Sequence, residues 1–247
     1  MLTVYTHQSL PAYLLDFATI ETQQTLPESG VYLFYDETGL SLGKVGQKGK
    51  VQVDFTAGAA HYRRTKGGGE LIAKAVQHTS NPLIWDATGG LGRDSWVLAS
   101  QGLSVHLFEQ NLAVYALLYD GLARAFRQPE IAQIVANITL HYGDASEEMG
   151  KLAQQTAIKP DVVYLDPMYP ERKKSAAVKK EMAYFHELVG QSEPCNDEKL
   201  FQAALIYAKK RVVVKRPRLG EYLCQQKPAY QYLGKSTRFD VYHPNPA

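Results

Sequence analysis

From about residue 83 onward, short apolar runs alternate with segments whose apolar positions recur at helical spacing. Leu83-Ile-Trp-Asp86 and Ser104-Val-His-Leu-Phe-Glu109 predict two strands, with a short helix from Arg93 to Gln101 between them. Asn111 is placed to cap a longer helix on which Val114, Tyr115, Leu118, Leu122, Ala125 and Phe126 form one stripe. Ile138 to Tyr142, Asp161 to Asp166 and Arg211 to Lys215 predict three more strands. Ser175 opens a helical pattern carrying Val178, Met182, Phe185 and Val189, and Leu200, Phe201, Ala204, Leu205 and Ala208 define another. Tyr230 to Tyr242 reads as a hairpin turning at Gly234-Lys-Ser. This alternation predicts an α/β fold, with parallel strands joined by right-handed helical crossovers. Such sheets bind ligands outside the carboxyl ends of their strands, where strand order reverses.

The first sixty residues follow another pattern. Gly30-Val-Tyr-Leu-Phe-Tyr, Asp36-Glu-Thr-Gly and Leu40-Ser-Leu-Gly resemble a β-hairpin, and Val51-Gln-Val-Asp-Phe55 alternates like a strand. We read residues 1–60 as a small β-rich lobe and 61–247 as the main domain. Between them, Arg63, Arg64 and Lys66 lead into Gly67 to Gly69, and a helix carrying Leu71, Ala75 and Val76 follows.

Composition changes the picture little: 45% hydrophobic and 21% charged residues describe an ordinary globular chain. Cys195 and Cys224 stand far apart without metal-ligand spacing, so no metal is expected and a reducing compartment is the simplest setting. No run of eighteen apolar residues and no leader-like start suggest a membrane span or a secretory signal. Charge is more telling in its distribution. Residues 159–220 hold 13 Lys and Arg against 8 acids, whereas residues 1–158 hold 11 against 15. A basic stretch of this kind suits a face that meets a polyanion, although a solvated lysine-rich surface explains it equally well.

The candidate chemistry begins where the first of these strands ends, at Asp86-Ala-Thr-Gly-Gly-Leu-Gly92-Arg93-Asp94. Glycines between strand and helix let the backbone approach a ligand, and a helix start offers N–H groups. Glu109 ends the next strand, where a carboxylate can accept both hydroxyls of a ribose. A dinucleotide fingerprint would start at Gly90, but its third glycine position is Ser95. Asp86 and Asp94 would repel a pyrophosphate and attract a sulfonium and an ammonium, which favours S-adenosylmethionine over a nicotinamide cofactor. The competing explanation is a glycine turn needed only for packing. Asp144, after the third strand, suits an adenine amino group or, equally, the N-cap of a helix starting at Ala145.

Asp166-Pro-Met-Tyr-Pro170 is the most informative segment. Two prolines stiffen it and remove donors. The Asp166 carboxylate and the Pro167 carbonyl can both accept N–H bonds from an exocyclic amine, and Tyr169 can stack on a base. An aryl amine is a poor nucleophile, because its lone pair is delocalised into the ring. Acceptors on both N–H bonds can turn that lone pair toward a methyl sulfonium, and positioning supplies much of the rate. Stacking of a base on an aromatic ring contributes about 1–3 kcal/mol.

The glycine turn and the Asp-Pro-x-Tyr loop resemble those of class I S-adenosylmethionine-dependent methyltransferases that act on amino groups. Met168 replaces the second proline usual in that loop. A closer resemblance is to the ribosomal RNA small subunit methyltransferase J family, bacterial enzymes that methylate N2 of a guanine in 16S rRNA. It is carried by Val53-Asp-Phe, Lys66-Gly-Gly-Gly-Glu70, Asp86 to Asp94, Tyr164 to Pro170, Lys174-Ser-Ala-Ala-Val-Lys-Lys-Glu-Met182, Val212-Val-Val-Lys-Arg-Pro217 and Arg238-Phe-Asp-Val-Tyr242. The resemblance implies a Rossmann-like sheet with flanking helices, a cytoplasmic enzyme, and 16S rRNA or the small ribosomal subunit as partner. It implies cofactor contacts at Arg93, Asp94, Glu109, Gln110, Asp144, Ala145 and Asp166, beside the turn residues Asp86, Gly90 and Gly92. The family often carries Arg where Gln110 stands. For RNA, the expected contacts are Arg172, Lys173, Lys174 and Lys179 after the loop, Lys215 and Arg216 after the fifth strand, and Arg63 and Arg64 near the triple glycine. Lys209, Lys210 and Arg211 lie at the opposite end of that strand and read as a solvated helix end.

Overall fold

The computed structural model describes residues 1–15, 20–56, 70–167, 184, 187, 188 and 194–244. The chain forms two sheets. The N-terminal sheet contains β1 (Leu2–Thr6), β2 (Ile20–Gln23), β3 (Val31–Asp36), β4 (Gly39–Lys44) and β5 (Val51–Gln52) in the order β2-β1-β3-β4-β5. The main sheet contains β6 (Ile84–Asp86), β7 (Val105–Glu109), β8 (Ile138–Tyr142), β9 (Val162–Leu165), β10 (Arg211–Pro217), β11 (Tyr230–Leu233) and β12 (Thr237–Tyr242). Its order is β11-β12-β10-β9-β6-β7-β8. Strands β8 through β10 in that order run parallel, and β12 is antiparallel to both of its neighbours.

Helices α1 (Ala12–Leu15), α2 (Glu70–Val76), α3 (Arg93–Ala99), α4 (Leu112–Phe126), α5 (Pro129–Ala136), α6 (Ala145–Thr156) and α7 (Pro194–Tyr207) accompany the sheets. Central strands are apolar on both faces because helices cover both. All four residues of β9, Val162-Val-Tyr-Leu165, are buried. The chain leaves β6 toward β7 and β8, then returns to the other side of β6 as β9. Strand order therefore reverses between β6 and β9, and this is where the predicted turn and loop begin.

The lobe does not stand apart. Leu2, Val4, Leu33, Leu40, Leu42, Val51, Val53 and Phe55 share one core with Trp96, Leu107 and the α4 residues Ala116, Leu117 and Leu118. Asp120, a fully buried acid in α4, ties the two parts together. It accepts the Tyr13 hydroxyl at 2.7 Å, the Leu40 N–H at 3.0 Å and the Arg124 Nε at 2.8 Å.

Some elements differ from expectation. Val51 to Phe55 keeps its alternating burial, but only Val51–Gln52 pairs as strand. Strands β1 and β2 and helix α5 were not predicted. Pro129 sits in the first turn of α5, where its missing N–H costs nothing. The helix expected from Ser175 falls largely outside the described residues. No helix among the described residues is long and apolar enough to cross a membrane, and no cluster of His, Cys, Asp or Glu among them could hold a metal ion.

Candidate active site

The carboxyl ends of β6, β7 and β9, with the first turn of α3, bring four acids to one crevice. Asp86 ends β6 and is buried, with 2% of its surface exposed. It accepts the Ser95 hydroxyl at 2.5 Å and the Thr88 N–H at 3.1 Å. Burial pushes its carboxyl up to about 7, although both hydrogen bonds favour the anion. Its charge near neutral pH is therefore set by what lies beside it.

The turn after Asp86 is held tightly on one side and open on the other. A Cβ on Gly89 would stand 2.7 Å from the backbone oxygen of Phe108 in β7. Gly92 has φ +69° and begins α3, and a Cβ there would stand 2.7 Å from the Leu118 side chain. Only glycine reconciles that left-handed backbone with that close approach. At Gly90 a Cβ would meet nothing nearer than the Thr88 oxygen at 3.9 Å, so this is the open face of the turn.

Glu109 closes the turn from the next strand. Its Oε2 accepts the Gly90 N–H at 2.8 Å and its Oε1 accepts the Asn111 N–H at 2.7 Å. Burial raises its carboxyl above the ordinary value, and the backbone donors act against that rise. Each oxygen retains lone-pair capacity for a further donor. The neighbouring Gln110 is exposed. Gly143 N–H donates to the Glu109 carbonyl at 3.0 Å, which sets the Asp144 turn beside it. Asp144 is the N-cap of α6, accepting the Ser146 N–H at 2.8 Å and hydroxyl at 2.7 Å, while Ala145 is buried. The capping alternative foreseen for Asp144 is thus realised, and the side chain still keeps 44% of its surface exposed.

Asp166 follows β9 and Asp94 lies in the first turn of α3. Lys215, from β10, joins them. Its Nζ stands 2.6 Å from Asp94 Oδ2 and 2.7 Å from Asp166 Oδ2. The buried Tyr164 hydroxyl donates to the same Asp94 oxygen at 2.7 Å, and the Asp166 N–H donates to Thr88 Oγ1 at 2.6 Å. Burial acts against the Lys215 ammonium, but the two carboxylates outweigh it and hold its pKa above the ordinary lysine value. Burial also holds Asp166 above the ordinary carboxylate value, with Lys215 opposing and Asp94 adding to the rise.

Two of the expected RNA contacts meet protein groups here. Lys215 does not stand on an open phosphate-binding surface, because its ammonium is engaged by two acids. Arg216 is buried at 6% exposure and donates through Nε to the Glu221 carbonyl at 3.1 Å. Both face inward because β10 is a central strand, covered on both sides. Tyr169, Arg172, Lys173, Lys174, Lys179, Arg63 and Arg64 lie outside the described residues, whereas Pro167 is buried next to Asp166. Three contributors escaped the sequence reading. In the sequence Ser95 stands only as a mismatch to a glycine fingerprint, Thr88 only as part of the turn, and Tyr164 only as a residue of the predicted strand. Tyr164 and Asp166 share a strand face by alternation, and that was the available signal.

The residues fit a cationic adenosine cofactor. Asp86, Asp94, Glu109 and Asp166 outnumber Lys215 at the crevice, and Gly90 leaves the backbone open toward it. A pyrophosphate would meet repulsion in the same place.

The comparisons agree with this chemistry. A family described as "Putative SAM-dependent methyltransferase" matches residues 17–244. Over 243 residues the chain is 59% identical to a Neisseria meningitidis protein named "Ribosomal RNA small subunit methyltransferase J", covering 94% of this chain and 96% of that one. A protein of the same name from Marinobacter nauticus is 44% identical over 235 residues, covering 92% of this chain and 83% of its own length. The crystal structure of a SAM-dependent methyltransferase from Neisseria gonorrhoeae superposes with a TM-score of 0.84 at 53% identity, covering 99% of this chain and 97% of that one. The chain belongs to this family of S-adenosylmethionine-dependent methyltransferases, in the branch whose curated members carry the name ribosomal RNA small subunit methyltransferase J.

Proposed function

We propose that this protein methylates the N2 exocyclic amino group of a guanine in 16S rRNA, as free rRNA or within the small ribosomal subunit, in the cytoplasm. The observation that carries the reading is Asp166, placed at the strand reversal beside an acid-lined glycine turn. The names of the relatives supply the class of substrate.

S-adenosylmethionine, when bound, supplies a methyl group activated by its sulfonium. Asp86, Asp94 and Glu109 would hold it, with Gly90, Gly92, Arg93, Gln110, Asp144 and Ala145 around them. Glu109 is suited to the ribose hydroxyls, because its remaining lone pairs can accept them. Asp144 reaches an adenine amino group only through capacity left over from capping. Asp166 and the Pro167 carbonyl accept the two N–H bonds of the guanine amine and turn its lone pair out of conjugation. Tyr169 stacks on the base. The amine becomes acidic only as it is methylated, so Asp166 serves first as an aligner and takes up the proton late. Arg172, Lys173, Lys174, Lys179, Arg63 and Arg64 contact phosphates. Residues 1–60 form the lobe and 61–247 the catalytic domain of this reading, and the core they share supports a lobe fixed to the catalytic sheet.

The test is Asp166→Ala. Transfer to small subunits should fall by about a hundredfold or more, as expected when a positioning contact is lost, while cofactor affinity measured by calorimetry stays within a few-fold. Transfer at the wild-type rate would sink the assignment.

A further inference from the structure

Lys215 is the one described cation whose ammonium spans the cofactor-side acid and the substrate-side acid. We propose that Lys215 is a positioning residue for the transfer step: its ammonium ties Asp94 to Asp166 and keeps the Asp166 carboxylate ionised, with Oδ1 left to accept the substrate amine. This rests on the reading of Asp166 as amine acceptor.

The geometry comes from strand register. Strands β10 and β9 run parallel with Val214 opposite Leu165. Lys215 and Asp166 each follow that pair by one residue, so the two side chains meet at the strand ends. Asp94 comes from α3 across the crevice, and the lysine bridges both acids at 2.6 and 2.7 Å. Among the described residues, Lys215 is the only donor to the Asp166 side chain, and it uses Oδ2. The Asp166 side chain keeps 39% of its surface exposed, so an incoming group can reach it.

The need for the lysine follows from the charges around Asp166. Asp94 from α3 and Asp86 from β6 disfavour another negative charge there, the Tyr164 hydroxyl from β9 stays protonated and neutral beside them, and Lys215 and Arg216 from β10 favour the charge. A protonated Asp166 would donate a hydrogen bond from one oxygen. It would accept the amine more weakly and could not take up the proton that the amine loses late in the transfer. Without the ammonium the site would drift toward that state as pH falls. With it, the turn that meets the cofactor and the loop that meets the base are linked through one side chain.

The experiment compares Lys215→Met, Lys215→Gln and Lys215→Arg with Asp166→Asn. The ionisation of Asp166 is read in the ligand-free protein by carbon-13 carboxyl NMR. Single-turnover transfer to small subunits, with saturating donor and subunits, gives the pH profile, and subunit binding against salt gives the ionic slope. Removing an adjacent opposite charge should move both the Asp166 titration and the acid limb of the rate upward by about one pH unit or more. Met and Gln should both show this, and Gln keeps the measurement available if Met fails to fold. Arg should hold both near their wild-type positions. An unmoved titration and limb would overturn the proposal. If the salt slope also fell by about one unit, Lys215 would be a phosphate contact instead. Asp166→Asn turning over like wild type would overturn the reading of Asp166 itself. An inactive Asp166→Asn beside an unshifted Lys215→Gln would remove only the role of the lysine.

Discussion

Replacing Asp86 with Asn should change how the stability of the protein depends on pH. Asp86 is buried, and its carboxyl rises from the ordinary 3.8 to about 7 in the folded state. A raised pKa means that the folded protein holds the proton more tightly than the unfolded chain does. The stabilisation is therefore complete below about pH 4 and is lost as pH rises toward 7, levelling off above. A shift of about three units corresponds to roughly 4 kcal/mol in all, of which about 3 kcal/mol falls between pH 5 and pH 8. Asn keeps the shape of the site: its oxygen can accept the Thr88 N–H and its amide can donate to the Ser95 hydroxyl, which also accepts. Asn does not titrate, so urea unfolding at pH 5, 6, 7 and 8 should show Asp86→Asn gaining on wild type by about 3 kcal/mol across the series. A constant difference between the two proteins across that range would refute the reasoning, because it would mean that the Asp86 carboxyl is not raised.

Three further substitutions test other parts of the account. Gly92→Ala meets Leu118 at 2.7 Å with φ +69°, whereas Gly90→Ala meets open space at φ +53°. Urea unfolding should therefore show Gly92→Ala costing more by about 1–3 kcal/mol, the usual range for overpacking, and equal costs would contradict the packing argument. Asp120→Ala leaves the Leu40 N–H and the Arg124 guanidinium without their buried acceptor, so it should cost about 3–5 kcal/mol and speed hydrogen exchange in β4. Asp144→Ala should cost about 1 kcal/mol as a lost N-cap. Unchanged cofactor affinity in calorimetry would mean that capping is its whole role.

Much of the main domain is legible in the sequence, and the reasons are local. The strands β6 to β10 are short apolar runs ended by Asp, Glu or turn residues, and their alternation with helical stripes fixes a parallel sheet. The crevice follows from the strand reversal. Helix α5 and strands β1 and β2 are less legible because they are short, so their few apolar positions, such as Leu2 and Val4 or Ile131, Ile134 and Val135, stand out only once they join the core of the lobe and α4. Within the site, Asp86, Glu109 and Asp166 were visible because each acid ends an apolar run. The partner of Asp166 was harder to see. Lys215 stands among Lys and Arg residues that suggest a basic surface, and only the parallel register of β9 and β10 sends it toward Asp166. Asp144 shows the opposite case, where one residue type at one position satisfies two explanations and only the Ser146 contacts establish the capping role.

Methylation of guanine N2 is read out by labelled methyl transfer from S-adenosylmethionine to small ribosomal subunits from a strain lacking this gene, followed by digestion to nucleosides. Label is expected in N2-methylguanosine from the rRNA of the small subunit. Label in N6-methyladenosine or in protein, or no label in rRNA from an enzyme that binds the cofactor, would contradict it.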